Sequence, residues 1–166
     1  MIIHNCKIVT FCEPNQILER VAVRVDHGTI VEFLPEPDIQ NKFPNEVTIN
    51  ANGQLLMPGL ICAHTHFYGA FSRGMAITGD APADFPAILR QLWWPLDQSL
   101  GKDDIYYSAV VGMIDAIKHG TTTLFDHHAS PNFITGSLDV IENAFRETGL
   151  RGSICYEVTD RGGAER

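Results

Sequence analysis

The feature that most constrains this chain is a change of hydrophobic period near residue 55. Before it, apolar residues come in short, β-branched runs: "IIHNCKIVT" from Ile2, "VAVRV" from Val21, "TIVEFL" from Thr29 and "EVTIN" from Glu46. After it, apolar strands alternate with longer stretches of helical period. Side chains repeat every two residues in a strand and every 3.6 in a helix, so the two halves must build different architectures. The reading is therefore a small β domain over residues 1–56 and a βαβ region over 57–166. Strands alternating with helices of this length select a parallel sheet.

In the first part, "DHG" at Asp26 to Gly28 predicts a tight hairpin turn, with Gly28 supplying the positive φ. "PEPDIQNKFPNE" (35–46), with three prolines, reads as a surface loop. In the second part, "LICAHTH" is the first strand. "DFPAILRQLWWPL" then puts Phe85, Ile88, Leu89, Leu92, Trp93 and Leu96 on one helical stripe, with Asp84 as N-cap and Pro95 as the point of termination or kinking. A second helix over about 102–118 shows an apolar face of Ile105, Ala109, Val110, Met113, Ile114 and Ile117, closed by Gly120. "TTTLFD" is the next strand. "SLDVIENAFRETG" follows as a helix capped by Ser137 and Gly149, and "RGSICYEV" as the third strand.

Composition narrows the function. The chain has 166 residues, 45% hydrophobic and 19% charged, enough to bury a core. A net charge of −8 without a basic cluster argues against nucleic acid or an anionic membrane as partner and favours a small molecule. Cys6, Cys12, Cys62 and Cys155 lie far apart, with no C-x-x-C pair, which favours reduced cytoplasm over a disulfide scaffold. The longest apolar run, Leu55 to Ala63, is too short to span a bilayer and contains Pro58 and Gly59.

The chemistry concentrates at "MPGLICAHTHF" (57–67). His64 and His66 stand two apart at the end of an apolar strand, so both imidazoles project from one face, as half of a metal site. An H-x-H arises by chance roughly 0.3 times in a chain of this histidine content, so context must carry the inference. Here the pair ends a strand entered through "PGL" and is followed by a glycine-rich loop, "YGAFSRG". In barrels of parallel strands the chemistry sits at the strands' C-terminal ends.

"ANGQLLMPGLICAHTH" resembles the signature of the metal-dependent amidohydrolase superfamily. "LWWPLD", "YYSAVVGMIDAIKHGTTTLFDHHASPN" and "CYEVTDRGG" are similar to the aminohydrolases of its chlorohydrolase and guanine-deaminase-like branch. The resemblance implies the N-terminal part of a (β/α)8 TIM-like barrel preceded by part of a composite β-sandwich. It implies His64 and His66 as ligands of a divalent metal, zinc in preference to iron, that lowers the pKa of a bound water to roughly 7 for hydrolysis of a C–N bond, a deamination of a heterocycle or amidine. Cys62 stands where such proteins often have Asn. The family's other ligands, two histidines and an aspartate, and its acid/base glutamate belong to later strands, so 1–166 reads as an N-terminal portion, inactive by itself, of a protein that is a homodimer in many relatives. A bridged two-metal, hydantoinase-like variant would need a lysine on a fourth strand. The rival from another class is a non-catalytic binding or regulatory module that keeps a vestigial histidine pair.

At "DHHASP" (126–131), Asp126 and His128 share a face at the end of the second barrel strand, where they would contact substrate. Arg73, in the loop after the histidine pair, would meet a substrate carboxylate or carbonyl. Trp93 and Trp94 read as core rather than as a substrate platform. An open wedge of three strands would expose its inner face, predicting aggregation or weak metal binding for 1–166 in isolation.

Overall fold

The computed structural model describes residues 1–77 and 79–161. The chain divides into two compact units, Met1–Pro58 and Gly59–Arg166.

The first unit holds two small sheets. β1 (Ile2–His4), β4 (Val21–Asp26), β5 (Thr29–Pro35) and β6 (Thr48–Asn50) pair in the order β5-β4-β1-β6. β2 (Lys7–Val9), β3 (Ile17–Leu18) and β7 (Leu55–Leu56) pair as β3-β2-β7. The run expected to be one strand from Ile2 is thus broken into two strands of different sheets. The cause is Asn5, whose φ of 55° lies in the left-handed region, where asparagine is tolerated better than most residues. The β4–β5 hairpin turns through His27 and Gly28, both at positive φ, and the twist of such a turn matches that of the strands.

The segment expected to be a plain loop carries a 3-10 turn (Glu36–Asp38) and a helical turn, α1 (Ile39–Lys42). Ile39 explains the order there, since it is buried with Ile2, Ala22 and Leu34. Three prolines and several polar residues hid two apolar anchors, Ile39 and the partly buried Phe43.

The second unit is a parallel sheet of β8 (Leu60–Thr65), β9 (Thr121–His128) and β10 (Arg151–Tyr156), with β9 in the middle. α4 (Lys102–Lys118) and α5 (Ser137–Thr148) cover one face. Leu124 of β9, with Cys62 and Ile154 beside it, meets Ala109 and Met113 of α4 and Ile141, Ala144 and Phe145 of α5. Gly152 of β10 is required by this packing, because a Cβ there would come within 2.3 Å of the Phe145 ring.

Three helix expectations are corrected. On α4 the buried positions are Ile105, Ser108, Ala109 and Met113, whereas Ile114 and Ile117 are each 46% exposed. The stripe is turned toward the small residues, which allow close approach to the sheet. On α5 the N-cap is Gly136, and Ser137 is already helical, its hydroxyl donating to the Ile134 carbonyl.

Between β8 and α4, Asp84 does cap its helix, accepting from the Ala87 N–H at 2.7 Å. The helix nevertheless passes Pro95. α2 (Phe85–Ile88) widens into a π-helical stretch (Leu89–Trp93) and resumes as α3 (Trp94–Ser99). The Trp94 N–H bonds to the Leu89 carbonyl five residues back, a wider turn than the α register that proline would obstruct.

Candidate metal-binding and substrate site

A bulge decides where the histidines point. Cys62 pairs with Leu124, and Thr65 pairs with Asp126, so β8 spends one more residue than β9 over that interval. Without the extra residue, His64 would stand level with Asp126 on the helix-covered face. With it, Thr65 takes that place, and His64 and His66 project to the opposite side, both exposed. Parity of sequence alone would have put Cys62, His64 and His66 on one face.

There the two imidazoles converge, their Nε2 atoms 2.8 Å apart. His66 Nδ1 lies 2.8 Å from the backbone carbonyl of His127. A carbonyl only accepts, so the proton sits on Nδ1 and the Nε2 lone pair is left facing His64. Both nitrogens are within coordination reach of a single ion, since Zn–N bonds run about 2.0–2.1 Å. The donor set is right for zinc or iron, and the carbonyl behind His66 is the outer contact that metal-bound histidines use to fix their tautomer. Among the described residues no group of three or more His, Cys, Asp or Glu is placed to hold an ion. The thiol of Cys62 donates to the His64 carbonyl at 3.3 Å.

Asp126 and His128 share a face, as the sequence predicts, but it is the closed one: they are 2% and 0% exposed. Asp126 accepts the Phe67 N–H at 2.8 Å and so fixes the chain directly after His66. Burial pushes its pKa up to about 6, against the pull of that N–H and of nearby His66. His128 faces Ser130 Oγ at 2.8 Å, and that hydroxyl donates to the Phe133 carbonyl, so His128 is the donor through Nε2–H. Burial pushes its pKa down to about 4 and keeps the ring neutral. These are supports behind the site. His127 does share the histidines' neighbourhood, its ring centroid 5.5 Å from that of His66. Arg73 is exposed where the 3-10 turn Phe67–Ser72 ends, with no ion pair among the described residues.

A cavity of about 270 Å³ opens beside His66, walled by Tyr68, Trp93 and Trp94 and floored by Asp97, Glu157 and Arg161. The tryptophans are half-buried and line this space, and Trp93 also packs against the core, as the sequence predicts. Tyr68 is packed against His66, Trp93 and His128. Its pKa is pushed up to about 12, first by burial and then by Asp97, so it stays a neutral phenol. Asp97 is 2% exposed and accepts from Arg161 Nη2 at 2.5 Å. Burial raises its pKa, and Arg161 opposes the rise. The sequence did carry a signal for Asp97, a charge four residues after Trp93 on an otherwise apolar stripe. Arg161 stands just past the third strand, where the sequence places it within reach of a substrate, but its pairing with Asp97 and the neighbouring Glu157 had no signal, because only the fold brings the end of β10 against α3.

Comparison with known proteins agrees with this architecture. Residues 55–165 match the amidohydrolase family, and the chain belongs to that family. It is 33% identical over 135 residues, 80% of this chain, to a 5-methylthioadenosine/S-adenosylhomocysteine deaminase of Desulforudis audaxviator, of which it covers 28%. It is 43% identical over 127 residues, 73% of this chain and 26% of the relative, to a hydroxydechloroatrazine ethylaminohydrolase of Pseudomonas sp. strain ADP. Atrazine chlorohydrolase TrzN from Arthrobacter aurescens TC1, solved with zinc, superposes with a TM-score of 0.74 at 22% identity, over 93% of this chain and 35% of its own. The second unit thus has the fold of part of an amidohydrolase barrel. The chain spans about a third of the length of the curated relatives it matches.

Proposed function

We propose that the full-length protein is a metal-dependent aminohydrolase that hydrolyses a C–N bond of a small heterocyclic or amidine-bearing molecule, and that His64 and His66 are two of its metal ligands. The observation that carries this is the convergence of the two Nε2 atoms to 2.8 Å on the uncovered side of β8, with His66 locked by the His127 carbonyl. Family membership supports the reaction class, and relatives named as deaminases and aminohydrolases support the substrate class.

A divalent ion, zinc in preference to iron, would supply activation of water for attack on carbon. The rest falls to the chain. The carbonyl of His127 holds the His66 tautomer that leaves Nε2 unprotonated. Asp126, through the Phe67 N–H, keeps the chain from swinging His66 away. Tyr68, Trp93 and Trp94 form a wall that excludes water from one side of the reacting ring. We place the protein in the cytoplasm on the strength of its four free cysteines. Among the described residues no helix is long and apolar enough to cross a membrane.

Elemental analysis of the purified full-length protein should find about one divalent ion or more per chain, and an amine-release screen of aminoheterocycles should find turnover that a chelator abolishes. Purification free of metal, with no uptake on adding zinc or iron, would sink the reading.

A further inference from the structure

α4 and α5 lie side by side on one face of the sheet, yet the surfaces they turn away from it differ in kind. On α5 those positions are Asp139, Glu142, Asn143 and Arg146, all exposed, with Arg146 paired to Glu142 one turn earlier. Such a face is suited to water. On α4 the equivalent surface holds Tyr107, Val111 and Ile114, which are 58%, 44% and 46% exposed. With Asp104 before them and Lys118 after them they fall 3, 4, 3 and 4 residues apart, the spacing of a seam where one helix packs on another. The core side of α4, through Ile105, Ala109 and Met113, is already taken by the sheet layer, and α5 takes its flank, where the Tyr106 hydroxyl donates to Glu147. Barrel strands added after residue 166 would leave the seam open as well. β9 is the middle strand, so the sheet can grow only from the outer edges of β8 and β10, and the helices that come with new strands join the α4–α5 layer at its sides.

We infer that this seam is a self-association surface, on which a second copy of the chain lays its own α4 antiparallel to the first about a two-fold axis at Val111. The order of residues along the seam selects a copy of itself. Antiparallel pairing about Val111 sets Tyr107 beside the partner's Ile114 and Asp104 beside the partner's Lys118, and the two-fold axis repeats both contacts at the other end. Neither Asp104 nor Lys118 takes part in an ion pair among the described residues, so both charges are free to make one. Parallel pairing would set like charges together at each end and is disfavoured. The antiparallel arrangement also opposes the two helix dipoles. A 17-residue helix is about 25 Å long and 10 Å across. That footprint is well short of the roughly 800 Å² per partner of a stable interface, so the pairing is reversible and shows at high protein concentration.

The test is sedimentation equilibrium of the full-length protein over about 1 to 100 µM. Wild type should pass from monomer toward dimer across that range. Val111→Glu brings two carboxylates together at the axis and should weaken dimerisation about 100-fold or more. Lys118→Glu turns each end pair into a repulsion and should weaken it about tenfold. Asn143→Glu, on the outward face of α5, should leave it unchanged. All three positions are exposed, so the melting temperature of the monomer should hold in each variant. Should Val111→Glu fail to fold, Val111→Cys carries the test: a short bismaleimide should link two copies through position 111, whereas Asn143→Cys should give no more linkage than wild type. A wild type that stays monomeric at about 100 µM overturns the inference and leaves the seam to a partner of another sequence. A dimer that neither glutamate variant on α4 weakens overturns it too, because the contact would then lie on another face.

Discussion

The two faces of the β8–β9–β10 sheet have opposite characters. On one, Leu124, Asp126 and His128 are sealed at 4%, 2% and 0% exposure under helices and loops. On the other, Ile61 and Phe125 stand 66% and 44% exposed, and the histidine pair projects from the same open side. The packing core is thus on one face and the candidate metal site on the other. The bulge in β8 is the device that hands His64 and His66 from the first to the second.

The sharpest way to break this division is at the histidines. His66→Ala in the full-length protein should lower amine release on the order of 10³-fold, the equivalent of several kcal/mol of lost transition-state stabilisation. It should also lower the metal content, and its urea midpoint should match that of wild type stripped of metal by a chelator. A variant that unfolds instead would show the pair to be structural. On the closed face the reverse is expected. Ile141→Ala, at a fully buried position, should cost about 2–5 kcal/mol in urea denaturation. Gly152→Ala should cost about 1–3 kcal/mol, because the new methyl meets the Phe145 ring.

The pH dependence of stability sharpens the comparison further. His128 has a folded pKa of about 4, below its unfolded value, so its contribution is complete above the unfolded pKa and fades as pH falls toward 4. Asp126 has a folded pKa of about 6, above its unfolded value, so its contribution is present at low pH and is lost as pH rises through 6. The two slopes oppose each other. Asp126→Asn should therefore steepen the loss of stability on acidification between pH 6 and 4, and His128→Gln should flatten it, as read by thermal melts across that range. The smallest effect belongs to the open face, where Phe125→Ser in the 1–166 segment should change stability by no more than about 0.5 kcal/mol and should reduce aggregation measured by light scattering.

Much of the local structure was legible from pattern. The Asp84 cap, the Gly28 turn and the Gly149 helix end are where short-range rules put them, because each depends on neighbours within a few residues. Pro95 does not end the helix, since a π turn just before it lets the helix continue. Of the candidate site, the sequence displays only the histidine pair. His64 and His66 announce themselves, whereas His127 enters through a backbone carbonyl that any residue could supply, and Arg161 reaches Asp97 across 64 positions of sequence. Asp126 and His128 do share one face, and the structure buries both there.

By itself the sequence determined the change from β-rich to alternating architecture, the order of strands and helices, and the type of ligand available at the end of β8. These follow from side-chain period and donor chemistry, which are properties of the linear chain. Only the tertiary structure decided which face each of those ligands occupies and what lies beside it. Face is set by the register between β8 and β9, and a single extra residue in one strand inverts it, a fact that exists only once two distant segments lie side by side.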